Sequence, residues 1–234
     1  DHFQLHLGLR LPRIDVHAVQ SPGAAHAASN EPGALALEGQ GGQPGWRLMV
    51  HEVPVAQGAM FGDGAPAALS GAVHEALRRN ASLFLGTQET NHLLTRASVD
   101  LPDVVKETLR ALPLARVAEI LRRLVEEEVA IRNLRDILET LSDAAQREKD
   151  VFALTELVRI GLKRQLCYRY APAGRLSALL IDPSIEEMLR AAVRVNGGVQ
   201  QLALDPAQTT QLIQKFTEAI ARHQPVAIVT AVDI

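Results

Sequence analysis

Apolar residues alternate with polar ones near the start of the chain, and the pattern changes to a helical period from about Val99 onward. Leu7, Leu9 and Leu11, then Ile14 and Val16 beyond Pro12, predict a strand within Leu5 to Val19. Leu48, Val50, Val53 and Val55 predict a second strand between Trp46 and Ala56. Between them, Gln20 to Gly45 is Gly, Pro, Ala, Ser and Gln with almost no large apolar residue. Such a stretch buries too little surface to offset ordering and is expected to be a loose loop. Gly58, Gly62, Gly64 and Pro66 make another weak stretch, which leads into a helix from about Ala67 to Leu85.

Four amphipathic helices are predicted next. Asp100 and Asp103 in capping-box spacing, with Pro102 in the first turn, open a helix carrying Val104, Val105, Thr108, Leu109 and Leu112, and Pro113 stops it. Leu114, Val117, Leu121, Leu124 and Val125 share one face of the second, and Val129-Ala130-Ile131 is a short extended break. Leu134, Ile137, Leu138 and Leu141 mark the third. The fourth runs from about Asp150 to Leu166 with Val151, Leu154, Leu157, Val158 and Leu162 on one stripe. Short links make these a helical subdomain. Then a unit repeats: a strand from Arg175 to Ile181 ends in Asp182-Pro183 and a helix, and a strand from Val199 to Leu204 ends in Asp205-Pro206 and a helix. A last strand, Val226 to Val232, gives β-α-β-α-β, a pattern that favours parallel strands. The chain reads as α+β: a small N-terminal α/β subdomain (1–98), a central four-helix subdomain (99–168) and a C-terminal β-α-β-α-β subdomain (169–234), whose end at Ile234 reads as truncated.

Composition narrows the chemistry. With 234 residues the chain can bury a sizeable core, and 24 Lys+Arg against 27 Asp+Glu argue against a protein built to neutralise nucleic-acid phosphates. The single Cys167 allows no internal disulfide or Cys-rich metal site; its apolar setting predicts a small buried residue in a reducing compartment. No apolar run approaches the roughly 20 residues of a membrane helix. His2 and His6 are four apart, but the alternation and Pro12 around them argue against a helical metal site. His74-Glu75 has Arg78 where the zinc-protease pattern needs a second His. Gly197-Gly198 lies after a helix and before a strand, the wrong position for a phosphate loop, and no nucleophile elbow is present. Asp182 and Asp205 sit where α/β enzymes place carboxylates, yet each precedes Pro at the first helical position, which defines a helix N-cap. No catalytic, cofactor or metal constellation is read.

The informative segment is Glu126-Glu127-Glu128-Val-Ala-Ile-Arg132-Asn133-Leu-Arg135-Asp136-Ile-Leu-Glu139, a mixed-charge junction between two helices. Its plain reading is a solvated helix start with Asn133 as N-cap and Asp136 three residues on. The sharper one is a subunit or partner contact through Glu127, Arg132, Asn133 and Arg135, because arginines pair bidentately with carboxylates. Lys163 and Arg164 admit the same two readings, since cations also suit a helix C-terminus.

The runs Leu101-Pro-Asp-Val-Val-Lys-Glu-Thr-Leu-Arg-Ala-Leu-Pro-Leu, Ile131-Arg-Asn-Leu-Arg-Asp-Ile-Leu-Glu-Thr-Leu and Glu148-Lys-Asp-Val, with Leu154-Thr-Glu-Leu-Val-Arg through Leu162-Lys-Arg, resemble the cytoplasmic domain of the export gate protein of type III secretion. The resemblance is nearly continuous from His74 to Ile234, and Leu7-Gly8 with Pro12 and Val55-Ala56-Gln57-Gly58 resemble that domain's first strands. Glu148-Lys-Asp-Val151, Leu166-Cys-Tyr-Arg-Tyr170 and Leu180-Ile-Asp-Pro183 look like the virulence injectisome branch rather than the flagellar export gate. The resemblance implies a non-enzymatic, ring-forming homo-oligomer of about nine copies. It also implies an absent multi-span N-terminal region in the bacterial inner membrane. The partners it implies are export chaperone–substrate complexes, the gatekeeper and the ATPase stalk, with no nucleic acid and no cofactor. Two departures accompany it: a subdomain inserted in the family near 58–67 is missing, and the family continues past Ile234. The alternatives are the flagellar export gate and a soluble α/β enzyme using Asp182 and Asp205.

Overall fold

The computed structural model describes residues 8–9, 15–18, 34–37, 45–50, 52–59, 65–196, 199–224 and 227–231. His2, His6, Gly197, Gly198 and most of the Gly58–Pro66 stretch lie outside them. The chain divides into two compact units, Asp1–Lys163 and Arg164–Ile234.

The first unit opens with a four-stranded sheet in sequential order. β1 (Asp15–Ala18) runs parallel to β2 (Ala34–Leu37), and β2, β3 (Gly45–Val50) and β4 (Val53–Ala59) follow antiparallel. β2 corrects the expected loop: Ala34-Leu-Ala-Leu37 is weakly apolar, but β1 and β3 complete its hydrogen bonds from both sides. The predicted strand from Trp46 to Ala56 is a hairpin. Val50 and Val53 are three apart, which breaks the alternation, and Glu52 takes φ 65° in the turn. Trp46, Leu48 and Val50 are buried on one face of β3, and Gly58 lies opposite Trp46 because a Cβ there would stand 2.7 Å from the indole nitrogen.

Helices α1 (Ala65–Arg79), a 3-10 turn (Ala81–Phe84), α2 (Thr87–Ala97), α3 (Pro102–Ala111), α4 (Leu114–Glu126), α5 (Leu134–Ala144) and α6 (Val151–Gly161) complete the unit. α2 was not predicted; its sparse apolar set, with Thr90 and Leu94 buried, gives a weak stripe. The core is centred on α4, where Val117, Ile120, Leu121 and Leu124 are fully buried, with Ile137, Leu138 and Leu141 of α5 and Leu154 and Val158 of α6. The buried Thr108 hydroxyl lies 2.8 Å from the Val104 carbonyl and 3.1 Å from the Leu138 carbonyl, so it binds α3 to α5 without an orphaned polar group.

Two local expectations are corrected here. Asp100 does not cap α3: Leu101 holds the cap position without a side-chain bond, and the Asp100 and Leu101 amides both bond back to the Ala97 carbonyl. The fourth predicted helix is two, α6 and α7 (Lys163–Tyr170). Leu162 leaves the helical region (ψ 7°) and buries its side chain.

The second unit holds β5 (Ala178–Leu180), α8 (Pro183–Ala192), β6 (Val193–Asn196), β7 (Val199–Leu202), α9 (Pro206–His223) and β8 (Ala227–Val229). β5 and β8 pair in parallel as expected. The middle strand does not join them: α8 passes directly into β6, and β6 forms a separate antiparallel hairpin with β7. The expected β-α-β-α-β sheet is thus a parallel pair plus a hairpin, because Val193-Arg-Val195 supplies a nearby strand that sequence spacing had assigned to the helix. Cys167 is exposed, not buried, since no residue of α7 is buried.

A candidate docking surface at the helical junction

The junction is built by the end of α4. The Glu127 and Glu128 amides bond to the Arg123 and Val125 carbonyls at 3.2 and 3.0 Å. Glu128 then takes φ 58°, the left-handed conformation that glycine usually supplies after a helix. Val129 and Ile131 dive into the core, so the charged residues on either side are displayed outward.

Two ionic clasps hold this corner. Arg78 of α1 reaches Glu75 at 3.1 Å and, across 50 residues, Glu128 at 3.2 Å; Arg79 meets Glu75 at 2.8 Å. Hydrogen bonds from Arg78 and Arg79 hold the Glu75 carboxyl below the usual range, and the Glu75 bond followed by the Glu128 charge raises Arg78. On the other side, Arg159 of α6 pairs with both Glu127 and Glu156. Burial works against the Arg159 charge, but these two carboxylates outweigh it and raise its pKa. Beside it, the Arg123 guanidinium stacks 3.6 Å from the Phe152 ring, a second α4–α6 contact.

The residues singled out from sequence fall in three places. Glu127 belongs to the Arg159 clasp. Asn133 caps α5, its Oδ1 accepting from the Asp136 amide at 3.4 Å while its Nδ2 donates to the Asp136 carboxylate at 2.5 Å. Arg132 is exposed, with its stem packed on Gly8, whose φ of 81° and missing Cβ allow the approach. Arg135 is exposed and lies 3.4 Å from Glu139. Lys163 and Arg164 directly follow Leu162, the C-cap of α6, and at the same time open α7, so the end of one helix dipole favours these cations and the start of the next opposes them. Arg78 and Arg159 were missed; the signals were Glu75 and Glu156 three residues earlier on the same helices.

Asp182 and Asp205 are helix caps. Asp182 Oδ1 accepts from the Ser184 hydroxyl and amide, the Ser184 hydroxyl bond being the larger cause of its lowered pKa, and Asp205 accepts from the Ala207 amide at 3.0 Å. Among the described residues no cluster of His, Cys, Asp or Glu has metal-site geometry, and no helix is long and apolar enough to cross a membrane.

Residues 55–234 match the FHIPEP family, so the chain belongs to the export gate proteins of type III secretion. Its relatives are of the injectisome branch. Protein HrpC2 of Xanthomonas euvesicatoria is 35% identical over 193 residues, covering 81% of this chain and 30% of HrpC2. Low calcium response locus protein D of Yersinia pestis is 42% identical over 160 residues, covering 66% of this chain and 23% of that protein. The chain therefore spans less than a third of these relatives. Among solved structures, Shigella flexneri MxiA shares the fold with a TM-score of 0.79 at 23% identity, over 100% of this chain and 79% of MxiA. Nonameric EPEC SctV-C gives 0.78 at 25% identity over 100% of this chain and 80% of its own. The Chlamydia pneumoniae CdsV and CdsO complex gives 0.74 at 28% identity over 93% and 71%.

Proposed function

We propose that this chain is the cytoplasmic domain of the inner-membrane export gate of an injectisome. In this reading about nine copies form a ring that receives export chaperone–substrate complexes, the gatekeeper and the ATPase stalk, and passes substrates to the channel. The observation that carries it is the match, over 100% of this chain, to a structure described as nonameric. The likeness to CdsV in complex with CdsO supports a second protein as partner. The domain is organised as three subdomains, 1–98, 99–168 and 169–234, with an inserted subdomain missing near 58–67. It acts at the cytoplasmic face through docking rather than catalysis, and contacts between copies use Glu127, Arg132, Asn133, Arg135, Lys163 and Arg164. The Asp182/Asp205 enzyme reading loses ground because both carboxylates are committed to caps.

The test is light scattering and negative-stain imaging of the full chain at rising concentration. Ring-shaped particles of about nine copies are expected. A monomer at every concentration, together with full secretion by an Arg132→Glu/Arg135→Glu strain, would overturn the ring and its interface.

A further inference from the structure

A cavity of about 310 Å³ opens between the N-terminal segment, the 3-10 turn and α2. Leu9, Phe84 and Leu85 form its buried floor, and Leu93 stands half-buried at the mouth. Glu89, His92 and Arg96 line the rim from successive turns of α2, all three exposed. Glu89 opens this row in the first turn and Arg96 closes it in the last, so the mouth is anionic at one end and cationic at the other.

The helix sets the spacing of the two charges. Seven residues at a rise of about 1.5 Å put the two positions about 10 Å apart, and both side chains lean the same way along the axis. The Glu89 carboxylate is held there, because its Oε2 accepts from the Gly86 amide at 2.9 Å. A carboxylate offers about four acceptor sites, so that bond leaves room for a cation.

The floor is also held in place. Arg122 Nε donates to the Leu85 carbonyl at 3.2 Å, and the Thr90 hydroxyl donates to the Gly86 carbonyl at 2.8 Å. A preformed site of this kind binds without first ordering its own walls. Its volume lies at the small end of ligand clefts, which suits a small molecule.

An anionic ligand meets Glu89 and a cationic one meets Arg96, in each case at the cost of like charges close together. A ligand matched to both ends carries a cation, an apolar middle and an anion within about 10 Å. A free tripeptide has this pattern. At about 3.4 Å per residue its ammonium and carboxylate ends stand about 10 Å apart when extended, with the central side chain between them.

We propose that this cavity is a binding site for free tripeptides with an apolar central residue. The ammonium pairs with Glu89, the carboxylate pairs with Arg96, and the central side chain enters over Leu9, Phe84 and Leu85. The assignment goes beyond the export-gate reading and does not depend on it.

The probe is Ala-Leu-Ala with both ends free, titrated into the full chain by calorimetry at neutral pH with amide shifts followed by NMR. Binding is expected to move the amides of Leu93 and Arg96. N-acetylation of the peptide and amidation of its carboxyl end should each weaken binding about tenfold, since each removes one charge-assisted contact. N-acetylation should then cost nothing further in Glu89→Gln, which keeps an acceptor for the Gly86 amide, and amidation nothing further in Arg96→Gln. The capped peptides test the parent chain directly, so the proposal stays open to refutation if a variant fails to fold. Equal binding of the doubly capped peptide, a capping loss unchanged in the matching variant, or no saturation by about 10 mM overturns the proposal. Equal or tighter binding of doubly capped Lys-Leu-Asp would assign the site to side chains of a longer chain and overturn it too.

Discussion

At the scale of single residues, the caps give the sharpest expectations. Asn133 is the side chain that closes the exposed start of α5, so Asn133→Ala leaves the Asp136 amide unpaired and is expected to cost about 1 kcal/mol. A thermal melt should show a drop of a few degrees with an unchanged helical spectrum. Asp182 carries a pH signature as well. Its folded carboxyl is held below the ordinary value by Ser184, so its contribution is present above the ordinary aspartate range and is lost as pH falls through the lowered value. Asp182→Asn retains the cap acceptor, so stability at neutral pH should stay close to that of the parent while acid sensitivity decreases. Melts across an acid series would read this; a variant that loses secretion while keeping its fold would revive a chemical role for the carboxylate. These caps were legible in sequence because Asp-Pro and Asn-x-x-Asp fix donor and acceptor within one turn. Asp100 misled because the turn that follows the preceding helix, with the Asp100 and Leu101 amides bonded back to the Ala97 carbonyl, puts Leu101 rather than Asp100 at the cap position. The exposure of Cys167 was not legible, since burial depends on whether another element covers α7.

At the scale of elements, legibility follows the range of the interactions. α4 and α5 were readable because their buried residues recur at helical spacing and dominate their own stripe. β2 and the β6–β7 hairpin were not, because pairing with partners elsewhere, rather than strong local preference, makes them strands. The arginine clasps were half legible: one carboxylate of each lies on the same helix, but Glu128 and Glu127 are brought in by the fold. A close contact between two helices is also invisible in sequence. Gly161 at the end of α6 faces Thr140 of α5, and a Cβ there would stand 2.5 Å from the threonine hydroxyl. Overpacking of this kind costs about 1–3 kcal/mol, against a gain of at most about 1 from replacing glycine in a helix. Gly161→Ala is therefore expected to be destabilising, and adding Thr140→Ala should recover most of the loss. Chemical denaturation of the two single variants and the double tests this; additive losses would show that the two residues do not compete for space.

At the scale of the whole molecule, the near balance of 24 cations and 27 acidic residues matters through its distribution. The helical junction presents both signs close together, and much of that charge is already satisfied within the chain: Glu127 by Arg159, Glu128 by Arg78. A contact between copies must compete with these clasps, which makes Arg135 the most informative position. Its pairing with Glu139 is a surface i,i+4 contact worth about 0.3–0.5 kcal/mol, so Arg135→Glu leaves the fold intact. Arg132 is less clean, because its stem supports Gly8 and through it the position of Leu9. If Arg135 faces a carboxylate of the neighbouring copy, reversal turns an attraction into a repulsion and should weaken assembly by at least tenfold, with no change in melting temperature. Salt provides the independent arm. Raising NaCl from about 50 to 500 mM shortens the screening length to a few ångströms and should weaken parent assembly while changing the variant far less. Sedimentation at both salt concentrations distinguishes the cases: equal salt response in parent and variant would place the interface elsewhere on the domain, and salt-independent assembly of both would make it apolar.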